Sequence, residues 1–393
     1  RSFGESPELV SMLAVALLRG LQSAGVAATA KHFPGHGDTA SDSHYGTPLI
    51  THSLERLREV EFPPFRAAIE AGVKMVMTAH IAVPVLDQGS NLPATLSNKI
   101  LGDVLRQELN FTGVITTDAM DMQAVNPNNR AGIDEVSVAA VIAGADLLLL
   151  TTHVDQAAIY AKLLSAVQNG RISKSDFRQS ANRIAVLKAW IAAQPDRPAL
   201  DVIGSSEHHQ LAAEVADRAI TLVKDDAHLL PLHLSVNDRV AVIMPQPQDL
   251  TPADTSSYSV PDLAKHLRVQ PALIDQFSMP IDPTDTEVAS LLEMAQPYDL
   301  IIVGTINATA HQGQAVLVNQ LLKQPVKTIA VALRLPYDLQ AYPTAPTYVC
   351  TYSILDPAMA ALTKALLGEI HCSGRLPVSI EGLFPIGHKV KSE

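Results

Sequence analysis

Two cysteines among 393 residues, Cys350 and Cys372, are too few for a disulfide framework and carry no metal-ligand spacing. Packing is their reading, with a single bridge between them left open. Positive charge is also short: 29 Lys and Arg stand against 40 Asp and Glu, a net charge of −11, and no basic run occurs. That argues against nucleic acid as a partner, because phosphate backbones are held by clustered Lys and Arg. Long apolar runs are missing too. Leu147 to Leu150 is one such short run, and none approaches the ~20 residues of a membrane span. No internal repeat or low-complexity tract is present. The chain opens on Arg1-Ser2-Phe3-Gly4 without methionine or a signal-like segment, so any targeting sequence would lie upstream, and neither compartment nor oligomeric state is readable.

What is present is ample chain for large cores. Hydrophobic residues make up 47% and charged residues 18%, which excludes general disorder, and the length fits two or three domains. Ser6-Pro7-Glu8 starts a helix in which Leu9, Leu13, Leu17 and Leu21 recur every fourth residue. The apolar run to Ala30, Val73 to Thr78, Gly113 to Thr117 and Ala145 to Leu150 read as buried strands. Phe65 to Ala71, Leu96 to Leu109, Val136 to Ala143 and Ile172 to Ala193 read as helices, the last starting at Ser173. Strict alternation of apolar strands with helices predicts parallel strands covered by helices.

Polar groups fall just past the strand ends: Lys31 and His32, then His80, Asp118 and His153. That is the pattern of a (β/α)8 barrel with its active site at the C-terminal face, with a doubly wound sheet as competitor. Four strands cannot close an eight-stranded barrel, so the chain is expected to begin inside it. Residues 1–195 would form the C-terminal part of that catalytic barrel and 196–206 a linker. Residues 207–393 would form an open, mostly parallel α/β sandwich, with strands at Arg239 to Met244, Leu300 to Val303, Thr328 to Leu333 and Tyr348 to Tyr352. Its first helix is expected over Glu207 to Lys224.

The densest chemistry lies between Ala30 and Pro48, which holds Lys31, His32, His36, Asp38, Asp42 and His44 among three glycines and two prolines. Such a segment is a poor helix and a poor strand, so it reads as an ordered loop on a rigid scaffold. Asp42 lies two residues from His44, close enough to hold the ring's tautomer and raise its basicity. An imidazole so tuned can protonate a leaving group near neutral pH. Asp118, directly after a strand, suits a nucleophile for an oxocarbenium-like transition state; the competing role is a helix N-cap, for which Asp121 is better placed. The loop's His and Asp residues are also possible metal ligands, but Lys31 opposes a cation there, and no metal or organic cofactor is expected. Lys31 and His32 suit donors to sugar hydroxyls. Between Gly304 and Leu321 there is no Asp or Glu, so the loop after that strand offers no carboxylate.

These residues resemble glycoside hydrolase family 3, and within it the bacterial β-N-acetylglucosaminidases (β-N-acetylhexosaminidases). The matching pieces are R-S-F-G at Arg1, K-H-F-P-G-H-G-D-T from Lys31, D-S-H at Asp42, T-A-H at Thr78 and T-D-A-M-D-M from Thr117. The likeness continues through I-T-L-V-K-D-D from Ile220 and S-G-R-L-P-V-S from Ser373, so it spans nearly the whole chain. It implies a retaining exo-acting enzyme on terminal N-acetylglucosamine of cell-wall or chitin-derived saccharides, as in peptidoglycan recycling. By the same resemblance Asp118 is the nucleophile, His44 with Asp42 the acid/base, and Arg1, Lys31 and His32 bind sugar. In the family's β-glucosidases the acid/base is a Glu of the second domain, and the carboxylate-free Gly304 to Leu321 segment agrees with its absence here. The alternatives are a β-glucosidase or glycoside phosphorylase of the same family, or a catalytically inactive sugar-binding protein.

Overall fold

A computed structural model describes the chain except residues 1, 40–46, 126–131, 152, 196, 250–253 and 391–393. It divides into two compact units, Arg1–Arg197 and Pro198–Glu393.

Four strands of unit one, β1 (Thr29–Phe33), β2 (Met75–Thr78), β3 (Val114–Ala119) and β4 (Leu147–Leu149), pair in sequence order and all in parallel. Helices Pro7–Ser23, Phe62–Glu70, Ile133–Ala143, Gln156–Gln168 and Lys174–Ala192 alternate with them, together with a π-helix at Lys99–Glu108. The alternation is the expected one, but the sheet is open: the described residues form no closed barrel. Ser6 caps the first helix by accepting from the Leu9 amide, with Pro7 at the first helical position. Its leucine stripe, however, does not mark the buried face. Leu18 is the residue driven inside, while Leu17 stays 54% exposed. The helix is held through its packing on Phe62–Glu70, and a four-residue repeat in a 3.6-residue helix cannot say which face that neighbour covers.

The unit's core gathers around Phe33, at the end of β1, with Phe65 edge-on at 5.1 Å and Phe62 stacked at 6.2 Å. The two long helices at its end start where side chains satisfy orphan amides. Asp155 accepts from the Ala158 amide and Ser173 from that of Ser175. The helix at Gln156–Gln168 has no counterpart in the sequence reading, since its apolar residues show little periodicity.

At the other end of the sheet from the strand tips, Asp146 is fully buried between two guanidinium groups. Arg106 Nη2 donates to it at 2.6 Å and Arg183 Nη2 at 2.8 Å, while the Ile115 amide donates to the same carboxylate at 2.9 Å. Arg106 spends its other nitrogen on the carbonyls of Phe111 and Gly113. Burial lowers the Arg106 pKa to about 10, against the raising effect of Asp146, so it stays charged at neutral pH. Gly113 is required at the entry to β3, because a Cβ there would sit 2.5 Å from the Lys74 carbonyl.

Unit two is a six-stranded sheet ordered β5-β10-β9-β8-β6-β7, with β5 (Thr221–Asp225), β6 (Arg239–Pro245), β7 (Leu273–Met279), β8 (Leu300–Thr305), β9 (Lys327–Ala332) and β10 (Thr347–Cys350). All neighbours are parallel except β5 against β10. Alternate residues of β6 and β8 enter two separate cores. Val240, Val242 and Ile302 pack under helices Leu263–Leu267 and Asp356–Leu366, and Ala241, Ile243 and Val303 under Asp285–Ala295 and Gln312–Leu321. Two strands differ from expectation. The helix expected over Glu207 to Lys224 stops at Ala219, and Thr221–Asp225 is the antiparallel edge β5, its Thr and Val alternating inward. Strand β7 carries Asp, Gln and Ser because it is the opposite edge. Both cysteines are free thiols.

Where β8 ends, Asp338 is buried beneath the following loop and accepts from the Thr305 hydroxyl at 2.7 Å and the Ala308 amide at 2.9 Å. Burial pushes its carboxyl up to about 6 from 3.8, countered only in part by those hydrogen bonds.

Removing the shared acceptor in unit one should leave two half-buried guanidinium groups facing each other without their common partner. Asp146→Ala is expected to cost about 3–5 kcal/mol, read as a lower denaturant midpoint for that unit; a loss below about 1 kcal/mol would mean that water replaces the carboxylate. Unit two should respond to pH through Asp338. The folded state keeps a proton that the unfolded chain has released, so this contribution is fully present below about pH 4 and lost as pH rises through about 6, roughly 3 kcal/mol in all. Asp338→Asn should flatten the slope in urea denaturations run from pH 4 to 7, and an unchanged slope would reject the assignment.

Candidate active site

The strand ends of unit one bring together two residues that lie far apart in the sequence. Asp118, next to last in β3, turns its Oδ2 toward His32 Nε2 on β1 at 3.4 Å, with about a fifth of each side chain exposed. Its Oδ1 accepts from the Ala119 amide at 2.9 Å. One oxygen is therefore fixed by backbone, and the other faces a partly exposed imidazole. Both residues belong to their strands and do not follow them, because pairing extends to Phe33↔Thr78 and Ala119↔Leu149 past irregularities in register. Lys31 lies exposed on β1 beside His32. The Lys31–His32 and Phe33–Pro34 peptide bonds are both cis.

The loop after β1 is pinned at both described ends. His36 Nδ1 lies 3.0 Å from the Thr39 hydroxyl, which donates back to the His36 carbonyl at 3.1 Å. Asp38 pairs with His52 Nε2 at 2.7 Å, and Arg56, which grips Glu61 through two hydrogen bonds, stands 3.9 Å from it. Gly35, at φ +134°, lets the chain pass Glu61 so closely that a Cβ would lie 2.6 Å from the Glu61 Cγ. At the far end the Thr47 hydroxyl donates to the Ala124 carbonyl at 2.6 Å. Of the expected site residues, Asp42 and His44 lie between these anchors but outside the described residues, as does Arg1. Among the described residues, no group of three or more His, Cys, Asp or Glu could hold a metal ion, and no helix is long and apolar enough to cross a membrane.

His80 was visible in the sequence as a strand-end residue, but its setting was not. It is 1% exposed, with Nδ1 2.8 Å from the Thr95 hydroxyl and Nε2 3.0 Å from the carbonyl of Ala119. Burial pushes its pKa below the ordinary imidazole value, against the raising effects of the Ala119 hydrogen bond and the Asp118 charge, so the ring is neutral at neutral pH. Thr95 gave no signal of its own; a threonine in P-A-T-L-S carries no chemistry until the fold sets it beside His80. Asp121 accepts from the Thr151 hydroxyl at 2.7 Å and is exposed, and His153 is exposed beyond β4.

A model of the glycosyl hydrolase family 3 N-terminal domain matches residues 1–187. Beta-hexosaminidase A of Pseudoalteromonas piscicida is 29% identical over 425 residues, an alignment that covers 97% of this chain and 70% of that protein. A beta-hexosaminidase of Nitrosomonas eutropha is 35% identical over 191 residues, 48% of this chain and 53% of that protein. Among solved structures, a glycoside hydrolase family 3 beta-N-acetylglucosaminidase from Paenibacillus sp. str. FPU-7 superposes with a TM-score of 0.87 at 35% identity, covering 96% of this chain and 72% of that one.

Proposed function

The chain belongs to glycoside hydrolase family 3, and on that premise we propose that it releases terminal N-acetylglucosamine from β-linked saccharides, cell-wall or chitin fragments among them, by retaining double displacement. Asp118 is the nucleophile. His44, oriented by Asp42, protonates the departing oxygen and then activates water. Lys31, His32 and Arg1 donate to sugar hydroxyls. The observation that carries the reading is the Asp118 carboxylate at a strand end, half-buried, tethered by its own backbone and facing His32 at 3.4 Å. A nucleophile in double displacement must be fixed and reachable at once, and this carboxylate has one oxygen held by the Ala119 amide, the other facing His32, and about a fifth of its side chain exposed.

The same reading makes the four parallel strands part of a (β/α)8 barrel. His32, His80 and Asp118 stand at the C-terminal ends of successive strands, the face at which such barrels place their chemistry. It makes residues 1–195 the catalytic part, 196–206 a linker and 207–393 an α/β sandwich. The segment Gly304 to Leu321 of the second unit contains no Asp or Glu, which agrees with a proton donor carried by His44.

Asp118→Asn is expected to abolish turnover while leaving the fold intact, since the amide is isosteric but cannot form the glycosyl ester. A slow fluorosugar N-acetylglucosaminide should label wild-type protein at Asp118, and a label on Asp121 would defeat the assignment. For His44 the expected signature depends on the leaving group. His44→Ala should lose about 10²–10⁴-fold in single-turnover cleavage of a disaccharide but far less on a nitrophenyl glycoside, which departs unaided. Asp42→Ala should show the same pattern more mildly. Equal losses on both substrates would mean that His44 binds sugar or shapes the loop. Running the assays with and without phosphate separates hydrolysis from phosphorolysis.

A further inference from the structure

We propose that His80 is a positioning residue for the nucleophile, acting on Asp118 through the main chain of Ala119. This rests on the reading of Asp118 given above. Pairing between β2 and β3 stops at Met77↔Thr116, two residues short of Asp118. Beyond it the backbone of β2 no longer holds β3 on that side, and the register of β3 on β4 also shifts between Thr116 and Ala119. The nucleophile thus stands where the ladder is weakest. His80, just past the end of β2, supplies the missing bond from its side chain, with Nε2 3.0 Å from the Ala119 carbonyl.

The direction of each proton follows from the acceptors. A carbonyl only accepts, so Nε2 carries the hydrogen, and in a neutral ring Nδ1 must then accept. The Thr95 hydroxyl, 2.8 Å away, donates to it in preference to the Ala79 carbonyl at 3.1 Å, and the Thr95 oxygen is free to accept from Thr78 at 2.7 Å. The chain therefore runs from the Thr78 hydroxyl through Thr95 and the imidazole to the Ala119 carbonyl. All three side chains are buried, where each bond is worth most and each unmade one costs most. A ring needed only to fill space there would be better replaced by leucine, since burying two nitrogens costs free energy unless both are satisfied. Ala119 closes the connection. Its carbonyl is held by His80, and its amide donates to Asp118 Oδ1 at 2.9 Å, so orienting residue 119 orients the carboxylate.

Two variants of the full protein separate positioning from packing. In His80→Gln the amide nitrogen reaches the place of Nε2 and keeps the donor to Ala119. In His80→Asn the shorter side chain reaches only the place of Nδ1, so the bond to Thr95 survives and the one to Ala119 is lost. The readouts are the rate of Asp118 labelling by the fluorosugar, kcat and KM on a nitrophenyl N-acetylglucosaminide, and the melting temperature. His80→Asn is expected to label about 10²-fold more slowly, as for a reacting group misplaced by about 1 Å, with kcat falling in step and KM changed by less than about threefold. His80→Gln should recover to within about tenfold of wild type, the most that imperfect geometry in one hydrogen bond would cost. Both variants labelling at the wild-type rate would overturn the proposal. So would equal losses in the two that track a fall in melting temperature, or a raised KM at unchanged kcat. If wild-type protein takes the label at a residue other than Asp118, the nucleophile assignment itself fails and the role of His80 goes with it.

Discussion

The buried carboxylate of Asp146 is the point from which the site of unit one is set. It is held by Arg106 and Arg183 and by the Ile115 amide, and its own amide donates to the Ile115 carbonyl at 2.8 Å. A charge with no exposed surface is tolerable only when its lone pairs are all met, and here the partners come from a π-helix, from the helix Lys174–Ala192 and from β3 itself. One carboxylate therefore fixes the start of β3, the start of β4 and two helices at once. Asp118 lies three residues beyond Ile115, so the direction in which its carboxylate leaves the sheet is set at the buried end of the same strand.

The opposite end of the sheet is built on another plan. Once the backbone ladder stops, hydrogen bonds from side chains take over: Thr117 accepts from the Leu149 amide at 3.0 Å, His80 donates to Ala119, and Thr47 donates to Ala124. Strand ends that would otherwise fray are tied one by one. The ties leave the Asp118 carboxylate reachable because they grip main chain and not the carboxylate itself. The loop between β1 and β2 follows the same rule, anchored by Asp38 on His52 and by Thr47 on Ala124. Unit two uses a buried acid differently. Asp338 organises the loop after β8 from beneath, and a carboxyl kept there by burial is occupied with Thr305 and Ala308, which leaves it unavailable for chemistry at the surface.

Much of this was legible in the sequence because it depends on local order. The alternation of apolar strands with helices, the capping residues Ser6 and Ser173, and the placement of Lys31, His32, His80 and Asp118 at strand ends follow from period, cap chemistry and the order of residues along the chain. The family resemblance likewise rests on contiguous runs, K-H-F-P-G-H-G-D-T above all. What failed did so where local order is silent. The stripe Leu9, Leu13, Leu17 and Leu21 is a sound helix signal, yet Leu18 is the residue inside, because which face is buried depends on the neighbour and not on the helix. Edge strands β5 and β7 lack the continuous apolar runs of the inner strands, since only one side of each is paired and part of each faces solvent.

Identity, element type and the list of chemically able groups were determined by the sequence alone, since each is a property of residues adjacent in the chain. Register, burial and pairing were decided by the tertiary structure. Nothing in the sequence says that His32 meets Asp118 across an intervening strand, that Thr95 completes the environment of a histidine 15 residues away, or that Asp146 rather than any other acid lies between two arginines. Each of these contacts joins segments that only a formed sheet brings within hydrogen-bonding distance. Its energy comes from the loss of water at that spot, which no stretch of sequence carries until the fold has excluded the solvent.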